Sequence, residues 1–210
     1  MTDQEREIVD LCQKLGIDQH GLGSIRNFID AAFYHVRLPG TLPADVHVAY
    51  NTAIRRATNR IACQGRHGDS RSMSRLLSRR ALDLRETILH DDAILPGRKL
   101  SVWRAEVTEE HQEPALAVEG WIRAGADTIS VDDVVHRLLV YPSVVITRRE
   151  EADIPNAYRR GGVPEDRYRE AGIEPVLVEE GTAKFFESRI APGRTSRKGR
   201  YYVEPSPFDD

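Results

Sequence analysis

Apolar residues at Val46, Tyr50, Ala53, Ile54, Ala57 and Ile61 recur at the spacing of one helix face, and no other feature constrains the fold as strongly. A helix with such a stripe needs partners, and the flanking sequence supplies them. Thr2 and Glu5 form a capping box ahead of Ile8, Leu11, Cys12 and Leu15, with Gly16 as the stop. A second helix is predicted from Ser24 to about His35, with Ile25, Phe28, Ile29, Ala32 and Phe33 inward, followed by a turn through Leu38-Pro39-Gly40 and Leu42-Pro43. After a loop at Gln64–Asp69, the fourth helix is expected to bury Met73, Leu76, Leu77, Ala81, Leu84 and Ile88 and to end before Pro96-Gly97.

The pattern then changes. Lys99–Val107 reads as a strand containing Trp103. Pro114 opens a helix with Leu116, Ala117 and Trp121 inward. Ser130 caps another, with Asp132 and Asp133 in its first turn and Val131, Val134, Val135, Leu138 and Leu139 as its buried stripe. Ser143–Ile146 is a short buried strand, and Thr147 with Glu150 is a second capping box, stopped by Pro155. A loop at Gly161-Gly162, helical turns over Glu165–Ala171 and a strand at Val176–Val178 follow. The expected fold class is α+β, predominantly helical: an N-terminal helical lobe (residues 1–97), a smaller α/β lobe (98–190) and a mobile basic tail (191–210) carrying Arg194, Arg197, Lys198 and Arg200.

Composition excludes several classes. Hydrophobic residues make up 40% of the chain, too many for global disorder. No apolar run reaches the ~18 residues of a membrane span, and the polar start Thr-Asp-Gln-Glu-Arg-Glu is unlike a signal peptide, so a cytoplasmic protein is expected. Cys12 and Cys63 stand apart among apolar positions and read as buried thiols. Walker A, GxGxxG, GxSxG and HExxH motifs are missing from the sequence. The net charge of −3 exerts no bulk attraction on nucleic acid. Residues 51–100, however, hold eleven Lys/Arg against five Asp/Glu. Arg71, Arg75 and Arg79 recur every fourth residue, and Arg55, Arg56 and Arg60 lie on the preceding helix. These arginines form either a phosphate-binding face or a solvated face paired with acids.

Chemistry concentrates at Glu110-His111-Gln112-Glu113-Pro114. Histidine is suited to proton transfer near neutral pH, and an adjacent carboxylate is suited to hold a divalent cation. The plain alternative is a His hydrogen-bonded to a neighbouring carboxylate. His67 and His136 read as solvated, and His90-Asp91-Asp92 as a frayed helix end.

Glu110, His111 and Pro114 resemble the first motif of HNH (His-Me finger) endonucleases, in which the acidic residue is a metal ligand and the His is the general base. The stretch from Glu110 to Ile173 also resembles a group of small bacterial proteins with a Glu-His-x-x-Pro segment, a helix, and an apolar strand closing on Thr-Arg-x-Glu, here at Thr147–Glu150, and the later Arg167–Ile173 segment matches them too. The resemblance implies a metal-dependent nuclease, with His111 catalytic, Glu110 on Mg²⁺ or Mn²⁺, and nucleic acid, DNA before RNA, as partner. The chain departs from the pattern in having about thirty residues between His111 and the next strand, and no second His at the expected helix. Glu151 is the nearest carboxylate there and Asn156 follows it, so Glu151 is taken as the second metal ligand. The alternative is a non-catalytic nucleic-acid-binding or protein-binding regulatory module from a mobile element or defence locus, which needs the arginines but not His111.

Overall fold

The computed structural model describes residues 1–36, 44–125, 127–155 and 164–190. The expected turn at Leu38–Pro43, the loop at Gly161-Gly162, Asn156 and the basic tail 191–210 lie outside the described residues. Within them the chain is a predominantly helical α+β protein with one four-stranded mixed sheet.

Helix α1 (Asp3–Leu15) carries the capping box of Thr2 and Glu5 and ends on Gly16, whose φ of 76° is the left-handed conformation that glycine adopts at no steric cost. Helix α2 (Gln19–Val36) begins five residues before the predicted Ser24. The Asp18 carboxylate accepts the Gly21 N–H at 2.7 Å and starts the helix early. Gly21 permits a close backbone approach: a Cβ there would lie 2.6 Å from the Gly65 Cα. Helix α3 (Ala44–Ala62) follows, as its periodicity predicts.

The predicted fourth helix is divided. A single turn, α4 (Ser70–Met73), leads into strand β1 (Leu76–Ser78), and helix α5 (Arg79–His90) starts on the Ser78 cap. Leu76-Leu77 satisfies its backbone in a sheet, where Leu77 pairs with Val145 on one side and Val176 on the other. A 3₁₀ turn (Pro96–Arg98) and helix α6 (Lys99–Glu106) then replace most of the predicted Lys99–Val107 strand. The helix buries Leu100 and Trp103, and Lys99 donates to the Ile88 and Asp91 carbonyls, both at 2.8 Å, at the C-terminal end of α5.

Strand β2 (Val107–Glu110), helix α7 (Ala115–Ala124), helix α8 (Val131–Val140), strand β3 (Val144–Thr147) and helix α9 (Arg148–Asp153) come next. Ser130 with Asp133, and Thr147 with Glu150, close capping boxes on α8 and α9. Helix α10 (Pro164–Glu170), strand β4 (Pro175–Leu177) and helix α11 (Thr182–Arg189) complete the fold, the last without any expectation from the sequence. The sheet order is β2-β3-β1-β4, with β1 and β3 parallel and the other pairs antiparallel.

Packing does not part the chain at residue 97. One core joins α1, α2 and α3 to Val118, Ile122, Val134, Val135, Leu138 and Leu139 of α7 and α8. A second places Trp103, Leu77, Val145, Phe185 and Phe186 on one side of the sheet, and a third places Val144, Ile146, Ile154 and Tyr168 on the other. Strand β3 is therefore buried on both faces, which accounts for its unbroken apolar run. Among the described residues no helix is long and apolar enough to cross a membrane.

Helix α11 docks closely on α4. A Cβ on Gly181 would lie 2.4 Å from the Met73 carbonyl oxygen, a backbone atom that cannot swing aside. Gly181→Ala is expected to lower stability by about 1–3 kcal/mol, the usual cost of overpacking. Urea unfolding followed by circular dichroism measures it.

Candidate active site around His111

Strand β2 carries two adjacent glutamates, which the pleat separates. The Glu109 carboxylate accepts hydrogen bonds from the Ser143 hydroxyl at 2.6 Å and from the Ser70 hydroxyl. The Glu110 carboxylate forms an ion pair with Arg167 of α10, which is 5% exposed. Arg167 also donates to the His111 carbonyl at 3.2 Å, and the Tyr168 hydroxyl donates to the Glu110 carbonyl at 3.3 Å. Helix α10 thus clamps the backbone on which the imidazole is mounted.

The His111 ring meets α3. Its Nε2 lies 2.9 Å from the Thr58 hydroxyl, and that hydroxyl in turn donates to the Arg55 carbonyl at 2.9 Å. A threonine hydroxyl has one proton. With that proton on the Arg55 carbonyl, the hydroxyl accepts from His111, so the hydrogen-bond network assigns the proton to Nε2 and the lone pair to Nδ1. Burial of the ring holds the His111 pKa below its ordinary 6.5; Glu109 pulls it up and Arg55 pushes it down. The imidazole is neutral at neutral pH and competent as a base.

His111 lines a cleft of about 370 Å³ together with Asn51 and Arg55 of α3, Glu109 and Glu110 of β2, and Glu151 of α9. Asn51, Arg55 and Thr58 share one side of α3 through steps of four and three residues. Among the described residues, neither the exposed Arg55 guanidinium nor the half-buried Glu151 carboxylate has a hydrogen-bond or ion-pair partner. The fold thus brings four of the predicted site residues, Glu110, His111, Glu151 and Arg55, to one cavity. It does not free Glu110 for a metal, because Arg167 occupies its carboxylate. Among the described residues no group of three or more His, Cys, Asp or Glu could hold a metal ion. The donor set therefore does not fit a divalent cation.

The remaining carboxylates of the two motifs are structural. Glu113 is buried and receives the Arg137 Nε at 2.8 and 2.7 Å, while the Arg137 guanidinium lies 4.3 Å above the Trp121 ring. Glu150 is buried under the Ser78 hydroxyl at 2.7 Å and caps α9. His67 and His90 are exposed, and His136 lies 3.1 Å from the Glu7 carboxylate.

The arginine row is corrected by the fold. Strand β1 intervenes between Arg75 and Arg79, so Arg71, Arg75 and Arg79 share no helix face. Arg71 pairs with Asp69 and donates to the Arg104 carbonyl; Arg75 donates to the Val178 carbonyl at 2.8 Å; Arg79 pairs with Glu174 at 3.1 Å. Each is spent on the protein itself. On α3, Arg60 lies over the Phe28 ring at 5.9 Å, while Arg56 is exposed.

Sequence reasoning missed Thr58 and Arg167. For Thr58 a signal existed: it occupies the Ile54–Ile61 stripe, and a polar residue among buried apolar ones needs a partner. Arg167 stood at the head of the Arg167–Ile173 segment of the resemblance, but nothing local tied it to Glu110, 57 positions earlier in the chain. Compared with known proteins, the chain finds no match among family models, curated sequences or solved structures.

Proposed function

We propose that this protein cleaves phosphodiester bonds of nucleic acid in the cleft between α3 and β2. The observation that carries the reading is a neutral imidazole and, in the same cavity, a guanidinium without a partner among the described residues. Phosphodiester cleavage needs a base that takes a proton from the attacking hydroxyl, and positive charge for the phosphate oxygens. His111 Nδ1 supplies the first and Arg55 the second. Thr58 orients the ring, and the Glu110–Arg167 pair fixes the strand end that carries it. The alternative, a non-catalytic binding module, drew on the arginine row that the fold disperses.

The test incubates the full chain with labelled DNA and RNA, each with Mg²⁺, with Mn²⁺ and with chelator. Cleavage of one of them is expected, and Arg55→Ala is expected to weaken substrate affinity by about 10-fold or more, as for loss of a charge-assisted hydrogen bond. Binding without cleavage under all three conditions would establish the non-catalytic module instead.

A further inference from the structure

We infer, on the basis of the nuclease reading above, that the substrate is RNA and that the attacking group is the RNA's own 2′-hydroxyl. The carboxylates around His111 decide this. Attack by water on a DNA phosphodiester is ordinarily assisted by a divalent cation that activates the water and holds the phosphate. Here Glu110 is neutralised by Arg167, Glu109 accepts two serine hydroxyls, Glu113 is bound by Arg137, and Glu150 is buried under Ser78. Glu151 is the one cleft-lining carboxylate among the described residues without a partner, and one carboxylate beside a histidine is a poor cage for Mg²⁺.

The groups present suit a different nucleophile. A ribose 2′-hydroxyl is held next to the phosphorus by the substrate itself, which replaces a captured water with an intramolecular attack. It needs one base and one cation, and the cleft provides both. It is also the group that distinguishes RNA from DNA. The volume of about 370 Å³ is of the order that encloses a single small ligand, here one nucleotide.

The step balances without a cofactor. Nδ1 of His111 takes the 2′-hydroxyl proton, the 2′-oxygen bonds to phosphorus, and the P–O5′ bond breaks. The O5′ leaving group takes a proton from water at the cleft mouth, and the imidazolium returns its proton to the hydroxide so formed. The products are a 2′,3′-cyclic phosphate and a 5′-hydroxyl, with no change in oxidation state. Arg55 faces the phosphate oxygens throughout.

The experiment uses the full chain, excess chelator and four labelled oligonucleotides of one sequence: all-RNA, all-DNA, DNA with a single ribonucleotide, and 2′-O-methyl RNA. Mass spectrometry reads the ends. Cleavage of the all-RNA and single-ribonucleotide strands is expected, immediately 3′ of a ribose, with a cyclic phosphate one water lighter than the linear end. His111→Gln is expected to lower that rate by about 10²-fold or more. Cleavage of DNA or 2′-O-methyl RNA, or cleavage that appears only on adding Mg²⁺ or Mn²⁺, overturns this inference and leaves the nuclease reading standing. No cleavage of any strand, or RNA cleavage undiminished in His111→Gln, overturns both.

Discussion

His111→Gln is expected to reduce nucleic-acid cleavage by about 10²–10⁴-fold, the usual contribution of a positioned general base. Glutamine keeps a group able to meet the Thr58 hydroxyl, so the unfolding free energy should move by only about 1 kcal/mol. The pH profile separates a base from a merely structural ring. Desolvation first, with Arg55 adding to it and Glu109 opposing it, sets the folded pKa below 6.5. The active form is the neutral one, so kcat/KM should fall as pH drops, with its inflection below 6.5. The effect on stability has the same direction. Between 6.5 and the lower folded value the unfolded chain binds more protons, so stability is complete above 6.5 and declines as pH falls through that window. The Gln variant should lose this part of the dependence. An inflection above 6.5, or an activity that ignores the substitution, would remove His111 from the chemistry.

Trp103→Ala should be the most damaging single change to the fold. The side chain is 0% exposed, and its indole N–H donates to the Arg71 carbonyl at 2.7 Å. Emptying such a site costs about 3–5 kcal/mol, and the lost hydrogen bond adds to it. For a chain of this size that is a fall in melting temperature on the order of 10 °C. Scanning calorimetry measures it, and Trp103→Phe should recover much of the loss because the ring volume is largely restored. The same substitution tests the path to the cleft. Trp103 ties α6 to α4, and α4 presents Ser70 to the Glu109 carboxylate. An unchanged melting temperature would mean that Lys99–Glu106 does not bury this ring as a helix.

Features written by residues three or four apart could be read from the chain alone. The capping boxes of Thr2 with Glu5 and Thr147 with Glu150, the cap at Ser130, the stop at Gly16 and the long stripe of α3 all depend on contacts within one or two turns. Leu76-Leu77 and Leu100–Trp103 do not, because a short apolar run fits a strand or a helix equally well. What decided them was the partner: Val145 and Val176 stood ready to pair with Leu77, while Leu100 and Trp103, coiled as a helix, joined the buried cluster of Leu77, Phe185 and Phe186. The arginine row failed for the same reason, since a spacing of four means one face only while the helix is continuous. The cleft was the least legible feature. Thr58 reaches His111 across 53 positions and Arg167 reaches Glu110 across 57. Local periodicity determines which segments coil and where they stop; which carboxylate is neutralised, and which ring nitrogen keeps its lone pair, is decided only when distant segments exclude water from one another.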